Sequence, residues 1–250
     1  MRPLSAQDIL QIWELGQSRH PIDRALLFLA AALPNKTLDE LASLTIGQRD
    51  ALLLTLREIT IGSQLDSVAQ CPQCSEALEF AVQVSDLRVV DPTAFLHSLS
   101  PSDYCCTIDE FSLRFRLPNS HDLAAVVGCQ DIVTAQRSLV ERCLQQVQGK
   151  GGDAIAPDQV PNNVLIQLSE QMALCDPQAE MLLNLTCPQC QHLWQVMFDI
   201  VTFFWAELSG QAKRLLREVH LLARAYGWKE SDILSMSTMR RQLYLELVGA

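Results

Sequence analysis

A chain of 250 residues, 48% of them hydrophobic, can bury a sizeable core as one large domain or two small ones. Its formal net charge of −10 argues against a general affinity for nucleic acid, which comes mainly from Lys and Arg neutralising phosphates. The first residues, MRPLSAQDILQIW, meet Ser5 and Asp8 before any apolar run of signal-peptide length, and the longest apolar run, Ala25 to Leu33, is about half of a bilayer crossing. The expectation is a soluble, cytoplasmic protein with no direct membrane insertion. In that setting nine cysteines point to thiols and metal ligands before disulfides.

The first sixty residues read as helices. Ser5 is positioned to cap a short helix ending near Gly16, and Pro21 suits the first turn of a helix reaching Leu33. Thr37 followed by Glu40 has capping-box spacing, and the leucines from Gln48 to Ile59 recur at helical intervals before Gly62.

The pattern then switches to period two. After Cys71-Pro72-Gln73-Cys74, the residues Leu78, Phe80, Val82 and Val84 alternate with polar or small ones, as in a half-buried strand. After Cys187-Pro188-Gln189-Cys190, the residues Trp194, Val196, Phe198 and Ile200 stand at the same offsets from the last cysteine. Between the two copies, Phe111, Leu113, Phe115 and Leu117 predict another strand. Helices are predicted near Asp122 to Val127 and Ile132 to Val147, and a loop and helix in PDQVPNNVLIQLSEQMALCD. The link Gly149-Lys150-Gly151-Gly152 lacks the Ser or Thr that a phosphate-binding loop places after Gly-Lys. Leu208, Ala212, Leu215, Val219, Leu222 and Tyr226 form one apolar stripe on a long helix stopping at Gly227, packed on the chain's own core or on another subunit. Lys213, Arg214, Arg217 and Arg224 give that helix a basic face.

Two thiols at positions i and i+3 of a tight knuckle can point at one ion, and two such knuckles complete a tetrahedral zinc shell. Cys71, Cys74, Cys187 and Cys190 are therefore the candidate ligands of one structural zinc per chain, with the matched strands pairing to join knuckles 116 residues apart. The alternative, two redox or disulfide pairs, calls for CxxC at a helix start, where the macrodipole lowers the thiol pKa; both copies here run into strand patterns. His192 is left out of the ligand set because four thiolates already satisfy the ion. Cys105, Cys106, Cys129, Cys143 and Cys175 read as buried small side chains, and Ser120-His121-Asp122 reads as a helix cap and not a hydrolase triad.

The segments HPIDRALLFLAAALP, LTIGQRDALLLTLREITIGSQLDSVAQCPQCSEALEF, DPQAEMLLNLTCPQCQHLWQVMFDIVTFFWAEL and LLREVHLLARAYGWKESDILSMSTMRRQLYLELV resemble baseplate proteins encoded with contractile phage tails and phage-tail-like injection systems, similar to the baseplate-hub or hub-assembly proteins of T-even phages. The resemblance is densest from Asp176 onward and loosest over about residues 85 to 160. It implies a non-enzymatic structural or assembly part of a particle, with other baseplate subunits as partners and no small-molecule substrate. Family members often carry glycine just after each knuckle, which suits a left-handed turn. This chain has Ser75 and Gln191 there, which predicts looser knuckles while keeping all four thiols.

The expected fold class is α+β, with helical N- and C-terminal regions around a discontinuous zinc-ribbon-like β element. Residues 1–62 form the first helical region, 63–86 the first knuckle and strand, 87–178 a mixed insertion, 179–200 the second knuckle and strand, and 201–250 the second helical region, all in one integrated domain. Two other functions compete. A zinc-ribbon nucleic-acid module would use the Lys213 to Arg224 face, and a thiol oxidoreductase would use either CPQC.

Overall fold

The computed structural model describes residues 1–89 and 103–249. The protein is a mixed helix-and-sheet chain with helices at both ends, as expected; part of the insertion, residues 90–102, lies outside the described residues.

Local signals set the first helices. Helix α1 (Ala6–Gly16) starts with a reciprocal box: Asp8 N–H donates to Ser5 Oγ at 3.1 Å, and Ser5 N–H donates to the Asp8 carboxylate at 2.8 Å. Helix α2 (Pro21–Ala32) has proline at its first position, and Thr37 with Glu40 forms the box of the short α3 (Leu38–Ala42). Helix α4 (Ile46–Thr60) begins two residues before the expected Gln48, because Thr45 and Gln48 form a third box.

These helices close around the first half of α9 (Ile200–Tyr226). Ala51 to Leu54 and Leu56 of α4 are fully buried, and with Arg49, Asp50 and Arg57 buried as well the helix is enclosed on nearly every side in the middle of the bundle. Phe28 stacks on Phe204 with ring centroids 4.3 Å apart, and the Arg24 guanidinium lies 4.1 Å over the Trp205 ring. Arg57, 2% exposed at its side chain, holds Glu207 through two hydrogen bonds of 2.9 and 2.6 Å and reaches the Gly62 carbonyl as well.

Two antiparallel ribbons stand on this bundle: β1 (Gln64–Gln70) with β2 (Ala77–Gln83), and β6 (Leu182–Thr186) with β7 (Leu193–Met197). Each CPQC is the turn of its own ribbon. The strands with matched sequences, β2 and β7, therefore pair with the strands before them and not with each other, contrary to the expected pairing. The repeat is deeper than a strand: Val84 opens the short helix α5 (Val84–Leu87) and Ile200 opens α9, each ten residues after its last cysteine. Val84, Phe198 and Ile200 thus lie at helix starts or strand ends, and their burial there anchors both ribbons to the bundle core.

A second core fills the insertion. Strands β3 (Tyr104–Ile108), β4 (Phe111–Phe115) and β5 (Leu144–Gln148) form one sheet, backed by α7 (Ile132–Cys143) and α8 (Asn162–Cys175). The expected helix from Ile132 to Val147 stops at Cys143, because the next residues pair with β4: Leu113 faces Val147 across the ladder. The strand expected to reach Leu117 ends at Phe115, and Leu117 is buried beyond it. Asn119 caps α6 (Ser120–Val126), with Asp122 reciprocating, so the cap expected at Ser120-His121-Asp122 is made by the residue before it, and of the three only the Asp122 side chain takes part. Of the five other cysteines only Cys143 is buried. Cys105 and Cys175 are exposed, because they fall on the outward positions of β3 and at the end of α8, and Cys106 and Cys129 are half-buried.

The stripe Leu208, Ala212, Leu215, Val219 and Leu222 packs on the chain's own cores, while Tyr226 is exposed at the helix end and stacks on Trp228. Gly227, at φ 68°, stops α9 in the left-handed conformation glycine tolerates. Helices α10 (Glu230–Ser235) and α11 (Thr238–Gly249) then fold back, and buried Arg241 donates to buried Glu218 at 3.0 Å.

Candidate metal centre

The two ribbon turns are built alike. Cys71 N–H donates to the Glu76 carbonyl at 2.9 Å and Ser75 N–H to the Cys71 carbonyl at 2.9 Å. In the second copy Cys187 N–H donates to the His192 carbonyl at 2.9 Å and Gln191 N–H to the Cys187 carbonyl at 3.0 Å. Ser75 and Gln191 both sit at φ 60°, the left-handed region that the family resemblance implied, where a side chain costs about 1 kcal/mol or more.

The turns bring all four thiols together. Cys71 Sγ lies 3.6 Å from Cys190 Sγ, and Cys74 Sγ lies 3.5 Å from Cys187 Sγ; all four sulfurs fall within 4.8 Å of one another. Four thiolates at about 2.3 Å from a tetrahedral zinc stand about 3.8 Å apart, so the cluster matches that shell, and its shortest contacts are well beyond the about 2.05 Å of a disulfide. Both of these contacts run between the motifs. His192 is not part of this cluster and stacks instead on Trp194 at 6.1 Å.

Backbone N–H groups aim at the sulfurs. Burial pushes the Cys71 thiol up, but the N–H groups of Cys74 and Gln73, with Cys190 and Cys74 beside it, bring it down to about 7. The Glu76 N–H favours a thiolate at Cys74, yet burial and the three neighbouring thiols push Cys74 up to about 12. The His192 N–H acts in the same way at Cys190, where burial together with Cys187 and Cys71 still leaves the thiol raised. One thiolate is thus favoured and the next is opposed by it. A cation placed among the sulfurs removes that repulsion, since a coordinated thiol is deprotonated outright. The residues present therefore suit a four-thiolate metal.

The four cysteines singled out in the sequence are the ones the structure brings together, but the incoming strands β1 and β6 that lead into the knuckles were not foreseen. Leu65, Ser67 and Ala69 carry only a faint alternation in QLDSVAQ, and LLNLT is too short to show one.

No curated protein and no solved structure matches this chain. One family does: the model described as T4 bacteriophage base plate protein matches residues 7–205, a span that includes all but the first residue of α1, both knuckles and the start of α9. The chain belongs to the T4 bacteriophage base plate protein family.

Proposed function

We propose that this chain is a structural or assembly component of the baseplate of a contractile, phage-tail-like injection particle, and that one zinc ion held by Cys71, Cys74, Cys187 and Cys190 clasps its two ribbons. Family membership carries the baseplate role, and the convergence of four sulfurs from distant turns carries the clasp. In this reading the chain works by assembly and not by catalysis. It assembles in the cytoplasm with other baseplate subunits, and zinc binding adds to the folding energy of both ribbons.

What the chain offers to partners differs from the buried stripe of α9. The opposite face of that helix exposes Lys213, Arg217 and Arg224, flanked by Leu216 and Leu221. Helix α11 exposes Met239, Leu243 and Leu247, four residues apart on one side. Mixed cationic and apolar faces suit protein surfaces better than a phosphate backbone. Among the described residues no helix is long and apolar enough to cross a membrane.

Mass spectrometry of purified particles and of their assembly intermediates tests the reading. The chain should be found in at least one of the two, and its absence from both would end it.

A further inference from the structure

Between the two ribbons runs a groove of about 360 Å³, lined by Asp66, Ser67, Val68 and Ala69 of β1 on one side and by Val196 to Asp199 on the other. Consecutive residues of a strand alternate between its faces, so four in a row lining a groove means that the strand's edge borders it. The ladder bonds say which backbone groups face that edge. Cys71 pairs with Glu76 and Val84 with Ser63 through direct hydrogen bonds, so the odd residues of β1 bond to β2, while Asp66 and Val68 turn their N–H and C=O groups outward. In the second ribbon Cys187 bonds to His192 and Phe198 to Met181, which turns the backbone groups of Gln195 and Met197 outward.

Little blunts either edge: among the residues whose backbone groups turn outward the one charged side chain is Asp66. Both ladders run without a bulge, and Gln64, Asp66, Val68, Gln70, Leu193, Gln195 and Met197 include no proline or lysine. Val68 and Met197, 68% and 62% exposed, leave apolar side chains at the groove. Two carboxylates border it, Asp66 and Asp199, and among the described residues neither is paired with a cation: Asp66 accepts only the Gln64 amide, and Asp199 caps α9.

We propose that this groove receives an extended strand of a neighbouring protein subunit, which pairs through its backbone with the free edges of β1 and β7 and joins the two ribbons into one sheet. The incoming segment carries a Lys or Arg to meet Asp66 and Asp199 and apolar side chains to cover Val68 and Met197. Main-chain pairing supplies affinity and these side chains supply the choice of partner. The inference rests on the chain being a particle component, and it adds where a partner binds and in what conformation.

The test uses the outward direction of the edge amides. Val68→Pro and Met197→Pro each delete an N–H that takes no part in its own ladder, as edge strands tolerate. Asp66→Lys reverses an exposed charge. All three isolated variants should melt like wild type, yet enter particles about tenfold less at limiting expression. In wild-type particles the amides of Asp66, Val68 and Met197 should exchange at least about tenfold more slowly than in the isolated chain. Normal entry of the Val68→Pro/Met197→Pro double variant, or exchange as fast in the particle as outside it, would overturn the proposal. So would a dimer of the isolated chain lost on Val68→Pro, which would make a second copy the occupant. Absence of the wild-type chain from particles and intermediates is a different result: it removes the component reading itself, and this inference with it.

Discussion

The Asp176 carboxylate accepts the Gly47 N–H at 2.9 Å, and a Cβ added to Gly47 would stand 1.8 Å from the Asp176 Oδ1. The contact locks the start of α4 to the chain that leads from the inserted sheet into the second ribbon. Burial pushes the Asp176 carboxyl up, while the Gly47 N–H, the Thr45 hydroxyl and the charge of Arg49 oppose that. Gly47→Ala must push the acid out of this seat, and the Ala179 backbone nitrogen at 3.0 Å leaves little room to yield. A loss of about 2–3 kcal/mol is expected, read as a lower urea midpoint with an unchanged slope.

Arg57 and Glu207 tie α4 to α9 in the same core. Arg57→Ala should cost about 3 kcal/mol, because it strands a partly buried carboxylate. Replacing both residues with methionine should cost less than Arg57→Ala alone. A double-mutant cycle by chemical denaturation checks this, and additive losses would show that the pair is not coupled.

The left-handed positions after the knuckles give a prediction of opposite sign. Ser75→Gly and Gln191→Gly each relieve a residue held at φ 60° and should stabilise the fold by about 1 kcal/mol. Thermal melts measure the gain, and metal release to a chelator should slow in step. The same substitution at Gln73, whose N–H faces the Cys71 sulfur, offers no such gain.

Acid stability reports on the N-terminal cap. The Arg2 guanidinium, against burial and with help from Ser5, holds the Asp8 carboxyl at about 2, below its ordinary 3.8. The folded value is the lower one, so this stabilisation is complete above about pH 4 and is lost as pH falls through about 2. Asp8→Asn should cost about 1 kcal/mol near neutral pH, a modest amount because Arg2 is half exposed. The wild-type and variant stability curves should converge as pH falls from about 4 to about 2, and a constant offset would contradict the assignment.

How much of this was legible depended on whether the signal was local. Ser5, Thr37 and Asn119 act on residues two or three positions away; the capping spacing of Thr37 with Glu40 could be read directly, and a cap was expected beside Asn119 from the strand-to-helix change at Ser120-His121-Asp122. The CPQC repeat was equally plain, because each knuckle is closed by bonds within six residues. Strand β5 was hidden, since Leu144 and Val147 in LQQVQ have helical spacing and only the distant edge of β4 makes them a strand. The pairing of β1 with β2 was missed for a related reason: the inward face of QLDSVAQ carries one large apolar residue, Leu65, followed by the small Ser67 and Ala69, so little alternation is left to read. Nothing in the α9 stripe itself told whether Leu208 to Leu222 would meet this chain or another. The structure shows them packed within the chain, which moves the surfaces available to partners to the opposite face of α9 and to α11.

The claim that two distant knuckles share one metal ion is tested most directly by metal content per chain, measured on the wild type and on Cys71→Ser and Cys187→Ser variants. A shared site gives about one zinc in the wild type, almost none in either variant, and both ribbons loosened by either change. Wild-type protein without metal, or variants that each retain about half of the wild-type content, would contradict it.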